Sequence, residues 1–123
     1  MPRKSDFERL FVKVRAICLA LPDTKETPTW GSPHFRVGEK IFCSFSSGDY
    51  PEHPSISLKV GKDIQRVFLR DERFYKAPSV GQHGWVSLRC NAGPLHWDEV
   101  AELVQQSYRL IAPARLSKLL STH

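Results

Sequence analysis

Ser55-Ile56-Ser57-Leu58-Lys59-Val60 alternates polar and apolar side chains without a fault, and a period of two describes a strand with one buried face. The same period runs through His34-Phe35-Arg36-Val37, Lys40-Ile41-Phe42-Cys43-Ser44-Phe45 and Trp85-Val86-Ser87-Leu88-Arg89. Gly38-Glu39 joins the first two of these, and glycine leading a two-residue loop is the type II′ hairpin signature, since that position needs positive φ. Strands joined by hairpins make an antiparallel sheet. Parity then sorts its side chains into two sets. Phe35, Val37, Ile41, Cys43, Phe45, Ile56, Leu58, Val60, Val86 and Leu88 form an apolar face. The opposite face receives His34, Arg36, Lys40, Phe42, Ser44, Ser55, Ser57, Lys59, Trp85, Ser87 and Arg89, with no carboxylate among them.

Helices supply the cover for the apolar face. Ser5-Asp6-Phe7-Glu8 reads as a capping box, and Phe7, Leu10, Phe11, Val14, Ile17, Cys18 and Leu21 lay one stripe along the helix that follows, ended by Pro22. A short helix is expected from about Lys62 to Arg70, a longer one from Trp97 to Ile111, and a last short one after Pro113. Residues 23–33 read as a turn-rich connection and 46–54 as a polar loop. Residues 71–83 read as a brief extended stretch around Phe74 to Lys76 and then a turn at Pro78 and Gly81. A few helices can cover only one face of such a sheet, which gives an α+β fold in two layers. The chain is 123 residues long, one domain spanning 1–123.

Composition narrows the setting. The chain is 41% hydrophobic and 25% charged, a globular balance. No apolar run approaches the roughly 20 residues that span a bilayer. The N-terminus, Met1 to Asp6, is basic with no apolar signal core, so the cytoplasm is the expected compartment. Cys18, Cys43 and Cys90 are odd in number and scattered, which points to buried, reduced thiols rather than a disulfide framework. Net charge is +5, and Lys59 to Arg89 carries seven basic residues against three acidic ones.

A face holding cations, hydroxyls and aromatic rings without acid suits a phosphate-bearing partner. Arginine and lysine neutralise phosphate, serine donates to its oxygens, and an exposed Trp or Phe stacks on a base. The competing reading is a surface covered by a loop, a second copy or another protein, with Phe42 and Trp85 as its apolar contacts. Other chemistry has little support. His34, His53, His83 and His96 are far apart and no Cys or His pair has zinc-ligand spacing, so neither a metal nor a cofactor is expected. Glu52-His53 lies in a proline-flanked loop, and Gly81-Gln82-His83-Gly84 lacks the strand-to-helix setting of a phosphate loop. An enzyme or small-molecule binder would need a pocket at the junction of Trp30, His34, His83 and Trp85.

Four ordered segments carry a resemblance over essentially the whole chain: Trp30 to Phe42, Ser57-Leu58-Lys59, Ala77 to Val86, and Ser107-Tyr108-Arg109-Leu110-Ile111-Ala112-Pro113. Together they resemble the MmcQ/YjbR-like proteins. The resemblance implies an α-β-β-β-α-β-β-α domain of CyaY-like or secretion-chaperone-like shape, in a family commonly labelled DNA-binding from a double-wing arrangement. Ser79 stands where an aromatic residue often follows Ala-Pro in that family. The resulting expectation is a DNA-binding protein. Arg36, Lys40, Lys59 and Arg89 would contact phosphates, Trp85 and Phe42 would stack or wedge, and Lys76 and His83 would add contacts at the sheet edge. A protein-interaction or chaperone-like module is the alternative.

Overall fold

In the computed structural model, which describes residues 4–29, 32–46, 54–77, 81–91 and 93–120, helix α1 (Lys4–Leu19) leads into a six-stranded antiparallel sheet. It begins one residue ahead of the expected Ser5 cap, a difference within the ordinary latitude of helix ends. The strands are β1 (Thr24–Thr29), β2 (Ser32–Val37), β3 (Lys40–Ser46), β4 (Ser55–Lys59), β5 (Phe74–Lys76) and β6 (Trp85–Arg89). Helix α2 (Lys62–Phe68) follows β4, and α3 (Trp97–Ile111) and α4 (Ala114–Ser117) close the chain. The spatial order is β1-β2-β3-β4-β6-β5.

Two layers form because the helices all pack on one side. Phe11 of α1 stacks on Phe45 and tilts against Phe35, Tyr108 of α3 meets Phe42 edge-on at 5.4 Å, and Phe68 of α2 meets Phe74 at 5.1 Å. Leu116 of α4 joins the same core. Asp98 and Glu99 occupy the first turn of α3, where carboxylates complement the helix dipole. The three cysteines are free and buried, as their scatter implied.

One strand was not legible. Residues 24–29, read as a connection, form β1, paired along its whole length with β2. Pro28 obscures the strand pattern. It is tolerated because β1 lies at the sheet edge, where the missing N–H costs no ladder bond. The observed order is therefore α-β-β-β-β-α-β-β-α-α, one strand more than the family resemblance implied.

Parity also fails at one point. Phe35 pairs with Cys43 but Arg36 pairs with Ile41, so Phe42 is an extra residue, a β-bulge in β3. The bulge turns the residues before it over. Phe42, expected on the open face, is fully buried under α3, and Lys40, paired with Val37, shares the helix-side register. Ile41, expected in the core, lies opposite Arg36 on the open side. Gly38 keeps the positive φ of +62° that its hairpin requires.

Candidate functional site

The side of the sheet away from the helices is built in rows, because residues paired across strands share a face. A central row crosses all six strands: Thr27, His34, Ser44, Ser57, Ser87 and Tyr75. Its members bond to one another. His34 Nδ1 and Ser44 Oγ are hydrogen-bonded at 2.6 Å, and the Ser57 and Ser87 hydroxyls at 2.7 Å. Ser87 is fully buried, while His34, Ser44, Ser57 and Tyr75 are half-buried.

A further row runs on either side of the central one. One flank holds Lys25 opposite Arg36, Ile41 on the other side of Arg36, and Lys59 opposite Trp85. The other holds Ser46, Ser55 and Arg89. Glu26, the acidic residue of β1, pairs with Phe35 on the helix side and is ion-paired with Arg15 of α1 at 2.8 Å. Among the described strand residues, the open face thus carries Lys25, Arg36, Lys59 and Arg89 and no carboxylate.

These cations differ in how they are held. Arg36 Nε donates to Thr27 Oγ1 at 3.0 Å and its Nη1 to the Glu39 carbonyl at 2.7 Å, which fixes the guanidinium while using two of its five donors. Arg89 donates from Nη1 to the Glu72 and Phe74 carbonyls and lies over the Tyr75 ring at 4.8 Å, so it braces the β5–β6 edge. Lys25 and Lys59 have no carboxylate partner among the described residues. Burial, and then the Arg36 charge, hold His34 below the ordinary histidine range, which keeps the ring neutral beside the cations.

Of the residues singled out from sequence, Arg36, Lys59, Trp85 and Arg89 are brought together on this face. Lys40 instead borders an open groove of ≈ 300 Å³ with Asp23, Val37, Ile111, Arg115 and Leu116. Lys76 pairs with Val86 in the helix-side register, its aliphatic stem lying against Gly81. His83 is exposed in the 3-10 turn Gly81–His83 ahead of β6. His34 on β2 and Trp85 on β6, expected to share a junction, are separated in the sheet by β3 and β4. Trp30, Glu52, His53 and Ser79 lie outside the described residues. Lys25 was missed because β1 was missed; its signal, a single lysine among threonines, becomes legible only once the strand is known.

No helix among the described residues is long and apolar enough to cross a membrane, and no group of three His, Cys, Asp or Glu among them could hold a metal ion. The fold is similar to the crystal structure of a Deinococcus radiodurans protein with a DUF419 domain. That match has 21% identity and a TM-score of 0.67, covering 88% of this chain and 85% of that one. A Pseudomonas syringae protein of known structure is also similar, at 20% identity and a TM-score of 0.59, covering 89% and 98% of the two chains. No curated protein matches the chain. Its sequence matches the YjbR family over residues 19–110, most of its length, and the fold agrees: the chain belongs to the YjbR family.

Proposed function

We propose that the open sheet face is a DNA-binding surface that grips phosphates. The observation that carries the proposal is the acid-free set of Lys25, Arg36, Lys59 and Arg89 on the side of the sheet away from the helices. Backbone contacts to DNA come mainly from lysine, arginine and small hydroxyls, the groups assembled here. Arg36 serves as a pre-oriented fork, while Lys25 and Lys59 act as mobile point charges. Arg89 contributes field more than direct contact, because its guanidinium is engaged with backbone carbonyls. Lys40, Lys76 and His83 are secondary, since none of them shares the face of the central row.

A salt titration tests the proposal. Log affinity for DNA should fall linearly with log salt, and Lys25→Ala and Lys59→Ala should each lower the slope by about one. Lys40→Ala should leave both affinity and slope unchanged. Absence of binding at low salt would refute the proposal.

A further inference from the structure

We infer that the groove bordered by Lys40 and Arg115 binds a small zwitterion, an α-amino acid with an aliphatic side chain. The inference goes beyond the DNA-binding proposal and does not depend on it. The groove is walled by α3 and α4, which pack on the other side of the sheet from the proposed DNA surface.

Three segments distant in the chain form the groove. Residues 37–40 line it from the β2–β3 hairpin, Ile111, Pro113, Arg115 and Leu116 from the end of α3 and from α4, and Asp23 from the turn after α1. The β3 bulge supplies one of its charges. By regular alternation Lys40 would stand on the face away from the helices, and the extra residue turns it over toward the groove. Each wall is tied down from within. Tyr108 Oη donates to the Pro22 carbonyl at 2.6 Å, next to Asp23, and Arg36 Nη1 donates to the Glu39 carbonyl at 2.7 Å. The Ala112 N–H donates to the Tyr108 carbonyl at 2.7 Å where α3 ends. A ligand therefore meets walls already ordered, which lowers the entropic cost of binding.

The lining determines the chemistry. Its apolar part is Val37 and Leu116, both buried, with Ile111 half-buried beside them. Two cations, Lys40 and Arg115, and two acids, Asp23 and Glu39, complete it, and all four are exposed. Among the described residues none of these four side chains is ion-paired, although both signs line one groove. Tyr108 senses charges of both signs from this set. Burial and then the Asp23 charge push its hydroxyl up, while Arg115 opposes them. A simple anion placed here would face two carboxylates, and a simple cation would face a lysine and an arginine. Like-charge contacts of that kind oppose binding, so a ligand carrying both charges is favoured over either.

An aliphatic amino acid matches each part of the lining. Its carboxylate suits the planar fork of Arg115, with Lys40 as a second charge. Its ammonium is complemented by Asp23 and Glu39, and its side chain covers the apolar surface of Val37, Ile111 and Leu116. The groove volume of ≈ 300 Å³ lies at the small end of ligand pockets, in keeping with a molecule of few heavy atoms.

The test titrates the isotope-labelled full chain with leucine at low salt and follows the backbone amide signals by NMR. Three analogues serve as probes: leucinamide lacks the carboxylate, isocaproate lacks the ammonium, and glycine lacks the aliphatic side chain. Leucine should shift the signals of residues 37–40 and 111–116. Leucinamide and isocaproate should each bind about ten- to a hundredfold more weakly, the loss expected when a charge-assisted contact is removed. Glycine should bind about tenfold more weakly for want of apolar area. Arg115→Ala and Asp23→Asn should each weaken leucine binding about tenfold, with the rest of the spectrum showing that the fold is kept. Asparagine tolerates the positive φ of +58° at position 23 as aspartate does. No shift with leucine at about 10 mM would overturn the inference. So would any of the three analogues binding as tightly as leucine, or folded Arg115→Ala and Asp23→Asn binding it as the native chain does. None of these outcomes bears on the DNA-binding proposal, which the salt titration tests separately.

Discussion

His34 shows how one residue reports its surroundings. Burial opposes charging the imidazole, and the neighbouring Arg36 adds repulsion, so folding favours the neutral ring. As pH falls, the unfolded chain takes up this proton before the folded chain does. The stabilising contribution is therefore full above the unfolded value of about 6.5 and is lost as pH drops through the lower folded value. Denaturant titrations at about pH 7.5 and about pH 5 should show the native chain losing more stability on acidification than His34→Gln. Identical losses would mean that folding does not favour the neutral ring. The residue type was visible in the sequence as a member of the polar row. Its neutral state was not, because it depends on what lies across the strands.

At the scale of elements, the β3 bulge decides more than any single side chain. It splits the ladder beyond the Cys43–Leu58 pair, and α3 fills the gap: Lys59 N–H donates to Ser107 Oγ at 2.9 Å, and Ser107 Oγ–H donates to the Phe42 carbonyl at 2.6 Å. One buried serine thus satisfies two backbone groups that the bulge has separated. Ser107→Ala should cost about 1–3 kcal/mol, because a buried donor and a buried acceptor are left unpaired. A urea titration measures it, and a loss below about 0.5 kcal/mol would show that the two groups re-pair directly. Periodicity correctly placed β4, β6 and α3, where a regular ladder or helix lets each side chain's face follow from its number. It misplaced Lys40, Ile41 and Phe42, since a bulge leaves the composition of a strand unchanged while shifting its register. Ser107 was legible only as part of the family resemblance, for a lone serine on an apolar helix face announces no partner.

Across the whole molecule, the three thiols lie within one core. Cys18 and Cys43 are fully buried and Cys90 nearly so. A hydrogen bond with Cys43 and then burial raise Cys18, and burial pushes Cys90 up to about 12. The native protein should therefore react with a thiol reagent only through opening of the structure, with all three groups becoming labile in denaturant. Prompt labelling of any one of them at neutral pH would show that the core opens locally. Such closure is a property of the packed layers, with α1, α3 and the sheet each supplying a wall.

The sequence by itself determined the two layers, the existence of an acid-free sheet face, and the position of Arg36, Lys59, Trp85 and Arg89 upon it. Alternation and helical periodicity are local and survive reading one residue at a time. Only the tertiary structure decided that Lys25 joins this face and that Lys40 and Phe42 leave it. Those facts depend on an edge strand that tolerates proline, on a register shift that α3 stabilises through Ser107, and on which strands lie side by side. Each is a pairing between distant segments, and pairing energy is not written in either segment alone.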